Sequence, residues 1–402
     1  MTSKRSKWMI FLSAVLSLTI TLGFTGCSKD PDDTSSTASD ETSSGSSDVS
    51  GEEEPIEIHK VGYIFREKVS DGGSAAQICE QRKTAADRSG LETCYIDGVT
   101  LTDFEAAVKK LSEAGCTDIV SCSSAYANVL NSVAKNYMDL NFISFGALND
   151  GINVSAYSET PYQGAYVAGL VANFNSNTKK IGVVADPGLT NAVAVVNAVE
   201  LGSEMDQDGG ATVYAAGAEA NRDIEKAIDA LIDKGCDVII CYTESNHSAD
   251  YCEKKGIKFI GCLDYSDRED EYSKMLMYFY CQRDSYFLAQ FKSMKMGTWS
   301  TNAYMGDMGN GVVNVSPAMD NIANAGTQEL IDALVPYLTS GAALVFRGPL
   351  KDNDDNFKYL ETDIMTDAEI ASMKWFVKNA ESIGDFREPN VNIAPNALEI
   401  KT

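Results

Sequence analysis

From residue 59 onward, short apolar runs of strand length alternate with longer stretches whose apolar positions recur every three or four residues. The first cycle predicts strands over 60–65, 93–96, 118–122 and 141–145, with helices over 75–89, 101–114 and 125–135. Strands and helices in alternation build a parallel sheet covered on both faces. A second cycle predicts strands over 180–185, 212–215, 237–241 and 258–262, and helices over 191–204 and 225–233. The expected fold class is therefore α/β, in two doubly wound parallel-sheet lobes.

The two cycles can be laid over each other. Glu105 through Cys116 aligns without a gap on Glu225 through Cys236, and each of these helices ends in a Gly-Cys pair that leads into a buried strand. Glycine there accepts the left-handed conformation that closes a helix. Two such lobes joined by a hinge bind ligand most effectively between them, at the carboxyl ends of their strands, and close on it by hinge motion.

The chain before residue 58 reads differently. Lys4, Arg5 and Lys7 precede an apolar run over 8–24, followed by Phe24-Thr25-Gly26-Cys27. The run is interrupted by Ser13, Ser17, Thr19 and Thr21 and is marginal for a ~30 Å hydrocarbon core, so residues 1–26 read as a signal peptide. The four residues that end it resemble a bacterial lipobox, which makes Cys27 the lipidation site and the membrane anchor. Residues 27–57 form an acidic, Ser/Thr-rich tether: 28–54 holds one Val and no aromatic residue, too little to form a core.

Composition then removes several classes of function. The chain has 402 residues, enough for two to three domains at ~100–200 residues each. A formal charge of −25 excludes a protein that grips a phosphate backbone, so no nucleic-acid partner is expected. The only histidines, His59 and His247, leave little for a metal site or a Ser/His/Asp relay. No nucleophile, base and oxyanion donor can be assembled, and neither an enzyme nor a cofactor is expected. Nine cysteines follow Cys27; none forms a Cys-x-x-Cys, and those in strand-like runs read as reduced core thiols. Gly306 to Gly311 precedes a strand instead of linking strand to helix, so it reads as turn glycines and not a phosphate loop. Asp352 to Asn356 lacks the glycine and the twelfth-position Glu of a calcium loop.

Over roughly residues 58–385 the chain resembles the basic membrane protein family of ABC-transporter solute-binding lipoproteins, the purine nucleoside receptor type. The resemblance is carried by Val61-Gly-Tyr-Ile-Phe65 leading to Ser70-Asp-Gly-Gly73, and by Tyr162-Gln-Gly-Ala-Tyr-Val-Ala-Gly-Leu170 before Lys180-Ile-Gly-Val-Val184. Lys234-Gly-Cys-Asp-Val-Ile-Ile240, Phe346-Arg-Gly-Pro-Leu-Lys-Asp352 and Met373-Lys-Trp-Phe-Val377 continue it. The resemblance implies a type I periplasmic-binding-protein-like fold, a purine nucleoside or base as ligand, a permease with a cytoplasmic ATPase as partner, and an extracytoplasmic, lipid-anchored location. The lobes would comprise 58–157 with about 276–308, and 158–275 with about 309–402. Two further readings keep the fold: a surface sensor or adhesion lipoprotein with a modified cleft, and a sugar or autoinducer receptor.

The resemblance also assigns positions. It implies an acidic residue after the first strand at Asp71 and a ribose-binding carboxylate at Asp264. The base-stacking aromatic would fall at Ser74 and a frequent lysine near Cys281, so this chain departs at both. A purine needs flat apolar faces, for which Phe65 and Tyr126 are candidates in the first lobe and Tyr265 and Tyr280 in the second. Ser123 and Ser124 follow one predicted strand, and the repeat points Thr243, Glu244 and Asn246 at the same cleft. Palmitate labelling tests the anchor: wild type is expected to incorporate label and stay with membranes, Cys27→Ala to lose label and be released. Equal release of both would contradict it.

Overall fold

The computed structural model describes residues 59–206, 208–218, 223–386 and 398–402. The expected signal peptide, tether and Cys27 lie outside the described residues. No described helix is long and apolar enough to cross a membrane.

Two sheets form the framework. The first contains β1 (Lys60–Ile64), β2 (Glu92–Ile96), β3 (Asp118–Ser121), β4 (Asn141–Phe145), β5 (Val154–Glu159) and β11 (Ala303–Gly306), in the order β2-β1-β3-β4-β5-β11. All of its pairings are parallel. The second contains β6 (Lys180–Ala185), β7 (Thr212–Gly217), β8 (Val238–Tyr242), β9 (Lys258–Gly261), β10 (Met275–Cys281), β12 (Val313–Val315) and β15 (Ala380–Ile383), in the order β15-β7-β6-β8-β9-β10-β12. Only β12 runs antiparallel. A small hairpin of β13 (Leu350–Lys351) and β14 (Phe357–Tyr359) lies apart from both sheets.

Apart from β15 the two orders correspond strand for strand, and the registers repeat. Val61 pairs with Asp118 in one lobe and Ile181 with Val238 in the other; Lys60 pairs with Glu92, and Lys180 with Thr212. The repeat read from one helix and its Gly-Cys ending therefore extends to the strand pairing.

Helices cover both faces of each sheet. In the first lobe, α1 (Gly73–Ser89) and α8 (Asp284–Lys295) bury Ile78, Phe287 and Phe291 against Val61 and Tyr63. On the opposite face, α2 (Phe104–Glu113) and α3 (Ala127–Val133) bury Phe104, Leu111 and Leu130 against Ile64 and Ile96. In the second lobe α4 (Pro161–Asn175) and α5 (Ala192–Ser203) lie on one face, and α6 (Ile224–Asp233) and α7 (His247–Lys255) on the other. The α4–α5 contact depends on two glycines: a Cβ on Gly169 would lie 2.0 Å from the Val199 carbonyl, and one on Gly202 1.9 Å from that of Tyr166. The helix expected over 125–135 is interrupted, with 3-10 turns at Ser124–Tyr126 and Ala134–Asn136 flanking α3.

The chain crosses between lobes after β5, β10 and β11. Residues 276–281, expected in the first lobe, belong to β10 of the second sheet, and the crossing falls at Gln282 and Arg283. The chain end, expected in the second lobe, returns to the first. Lys401 bridges Tyr95 on edge strand β2, its ammonium lies 2.7 Å from Asp97, and Leu398 and Ile400 pack beside α2 and α3. The 306–311 segment is a turn closed by Asp307 and Asn310, and 352–356 is a turn in which Asp352 accepts backbone N–H bonds.

Candidate functional site

In a sheet ordered 2-1-3-4-5 the crevice lies at the carboxyl ends of the first and third strands, where successive connections leave on opposite faces. Here those ends are Phe65-Arg66 and Cys122-Ser123-Ser124 in the first lobe, and Asp186 and Tyr242-Thr243-Glu244 in the second. The repeat makes Arg66 and Asp186 equivalent positions. They meet each other at 2.8 Å, and the Asp186 side chain is wholly buried. Beside them Ser123 Oγ donates to Glu244 Oε2 at 3.2 Å, and the Arg66 guanidinium lies 3.8 Å from the same carboxylate.

A cavity of about 100 Å³, open to solvent at its mouth, lies next to this junction. The first lobe contributes the rings of Phe145 and Tyr157, the second those of Tyr242, Phe279 and Tyr280. Polar groups stand between these faces: Gln77, Ser123, Ser124, Glu159, Asn191, Thr243, Glu244 and Arg283. Three thiols, Cys122, Cys262 and Cys281, complete the wall. Burial pushes all three well above the usual thiol range, so they present uncharged, soft surface.

Two charged groups in the cavity neutralise each other. Arg283 Nη2 donates to Glu159 Oε2 at 2.8 Å, and Tyr157 Oη donates to Glu159 Oε1 at 2.6 Å. Asn191 Nδ2 holds the Glu159 carbonyl at 3.0 Å, and the guanidinium lies 5.7 Å from the centre of the Phe145 ring. Burial works against the guanidinium's charge, and Glu159 more than offsets it. Glu244 is in the opposite position: burial raises its carboxyl, Arg66 opposes this only in part, and the group is pushed up to about 7.

Five of the eleven candidate residues line this cavity: Ser123, Ser124, Thr243, Glu244 and Tyr280, together with Ser74 and Cys281, where the family pattern was departed from. The others are placed elsewhere. Phe65 is buried with Tyr63 and Tyr95 and reaches only a smaller adjoining pocket. Tyr126 is wholly buried against Phe104 and donates to the Val99 carbonyl. Tyr265 packs edge-on to Tyr272 and Tyr278 in the second-lobe core. Asp71 is exposed in a 3-10 turn, and Asp264 accepts from the Ser266 amide. Asn246 begins α7 and faces α1 and Arg268.

Other lining residues could have been found. Phe145 ends a predicted strand, and Tyr242 is the repeat equivalent of Cys122. Glu159 and Arg283 had no such signal, because they sit at lobe crossings that the hydrophobic pattern does not mark. Among the described residues no three His, Cys, Asp or Glu side chains are grouped to hold a metal ion.

Two doubly wound lobes around an aromatic-walled cavity define a periplasmic-binding-protein-like fold. Residues 58–248, just under half of the chain, match the model of the Bmp family, described as ABC transporter substrate-binding protein PnrA-like. The chain is similar to a purine-binding protein of Brucella abortus, 26% identical over 333 residues that cover 80% of this chain and 93% of the relative. It is also similar to a candidate glucose-binding protein of an ABC transporter from Haloferax volcanii, 25% identical over 311 residues, 74% of this chain and 77% of the relative. Among solved structures, a solute-binding protein of an ABC transporter system from Conexibacter woesei superposes with a TM-score of 0.57 at 18% identity, covering 71% of this chain and 97% of that one. The matched family is one of substrate-binding proteins of ABC transporters.

The Glu244 carboxyl gives a pH signature. Its folded value lies near 7, above the unfolded ~4.3, so the folded state holds the proton longer and stability falls as pH rises through that window. A loss on the order of 3 kcal/mol is expected between about pH 4.5 and 7, and Glu244→Gln should remove it. Urea denaturation from pH 4 to 9 measures both proteins; parallel profiles would contradict the assignment.

Proposed function

We propose that this protein is a membrane-anchored, extracytoplasmic receptor that captures a purine nucleoside or nucleobase between its lobes and delivers it to an ABC permease driven by a cytoplasmic ATPase. The observation that carries this reading is the pairing of aromatic walls from both lobes with an internally neutralised Glu159–Arg283 pair in one cavity. A purine offers two flat faces to such walls, and base–aromatic stacking contributes ~1–3 kcal/mol per base. Asn191, Ser123, Thr243 and Glu244 supply donors and acceptors for ring edges or hydroxyls.

The charge pattern favours a nucleoside over a nucleotide. Arg283 is held by Glu159 and Arg66 by the buried Asp186, so a phosphate would have to displace a carboxylate from either cation. The purine-binding relative from Brucella abortus supports the same ligand class. A second reading, a sugar ligand, is supported by the relative named for glucose.

Thermal unfolding with adenosine, guanosine, inosine, their bases, glucose and adenosine monophosphate separates these readings. A bound ligand at 100-fold over its dissociation constant adds ~2.7 kcal/mol, a rise of several degrees. At least one nucleoside or base should produce that rise and the monophosphate should not; Glu159→Gln should weaken the effect at least tenfold in affinity. No rise with any nucleoside or base would overturn the ligand class, and a rise with glucose alone would favour the sugar.

A further inference from the structure

The helix that opens the first lobe has no N-terminal cap of its own. Gly72 stands at the cap position of α1 with φ 77°, and no side chain there accepts a helix N–H. A helix end leaves four backbone donors without intrahelical partners, and in α1 the second lobe takes up two of them. Ser74 N–H donates to the Glu244 carbonyl at 2.9 Å. With its amide turned so that the oxygen faces donors, Asn246 accepts from Gly73 N–H at 3.1 Å and from Arg268 Nη1 at 3.0 Å.

The next turns continue the contact. Gln77 accepts from Asp264 N–H at 3.1 Å and donates to the Asp264 carbonyl at 2.6 Å. Gln81 accepts from Arg283 N–H and donates to the Cys281 carbonyl, both at 3.3 Å. Residues four apart lie on one helix face, so two side-chain amides each clasp a stretch of backbone by donor and acceptor together. The approach requires glycine: a Cβ on Gly73, at φ +68°, would lie 2.4 Å from the Glu244 carbonyl oxygen.

We propose that α1 is the latch of the cleft, capped in trans by Glu244 and Asn246 and clasped at Gln77 only while the lobes are together. The proposal rests on the reading that the lobes close around a solute. Its geometry divides the labour. Gln81 holds backbone beside the crossing at Gln282, where hinge displacement is small; Gln77 and the helix terminus lie farther along α1 and lose their partners when the lobes part. Ser74 and Gln77 also line the cavity, so a bound solute would touch the latch from inside.

Hydrogen exchange on the full chain, without added solute, tests the latch separately from the ligand class. Wild type, Asn246→Ala and Gln77→Ala are compared, with Gly73→Ala as a third variant that blocks the approach sterically. In the first two variants, peptides over 73–78 should exchange at least tenfold faster than in wild type while peptides over β1, α8 and the end of α1 keep their protection. The radius of gyration from X-ray scattering should increase in Gly73→Ala. Unchanged exchange over 73–78 in both Asn246→Ala and Gln77→Ala would overturn the proposal. Failure of every nucleoside to bind would leave these readings unaffected.

Discussion

The structure depends on where a repeated chain meets itself. Arg66 and Asp186 occupy equivalent places after the first strand of each lobe, and their ion pair closes the junction between the sheets. A buried pair of this kind contributes little net stability, because desolvation offsets most of the attraction, but removing one partner strands a buried charge at a cost of about 3–5 kcal/mol. The pair therefore acts as a constraint: lobes that meet must meet in the register that brings these two groups together. Ser123 and Glu244, one strand over in each lobe, follow from the same register.

That constraint sets the chemistry of the cavity. Parallel strands end on the same side, so their carboxyl-terminal residues converge from both lobes. Carboxylates are matched to guanidinium groups at Glu159–Arg283 and Asp186–Arg66, while Glu244, only partly compensated, is held by burial well above the usual carboxylate range. Aromatic rings and protonated thiols fill the remaining wall. The result is a wall of rings and paired or uncharged polar groups, which suits the flat, largely neutral solute proposed above.

Much of the fold is visible in the hydrophobic pattern, because a buried parallel strand is a short apolar run and its covering helices have a different period. The 120-residue repeat goes further: it points Thr243, Glu244 and Asn246 at the cleft reached by Ser123 and Ser124, and of these three the first two line the cavity while Asn246 faces α1 instead. Residue type was a poorer guide. Phe65, Tyr126 and Tyr265 have rings suited to stacking, yet each lies in a core, because an aromatic side chain fills a core as readily as a binding wall. Arg283 and Glu159 were invisible for another reason: their importance comes from the points at which the chain changes lobe, which depend on tertiary packing. The return of Lys401 to β2 is of the same kind.

The central claim is that one small solute is held between the two lobes, in contact with both. A crystal structure of the protein grown with guanosine or inosine tests it most directly. The account predicts density in the interlobe cavity, flanked by Phe145 or Tyr157 on one side and Tyr242, Phe279 or Tyr280 on the other. Density confined to an outer surface, or a cavity occupied by water alone at saturating nucleoside, would contradict it.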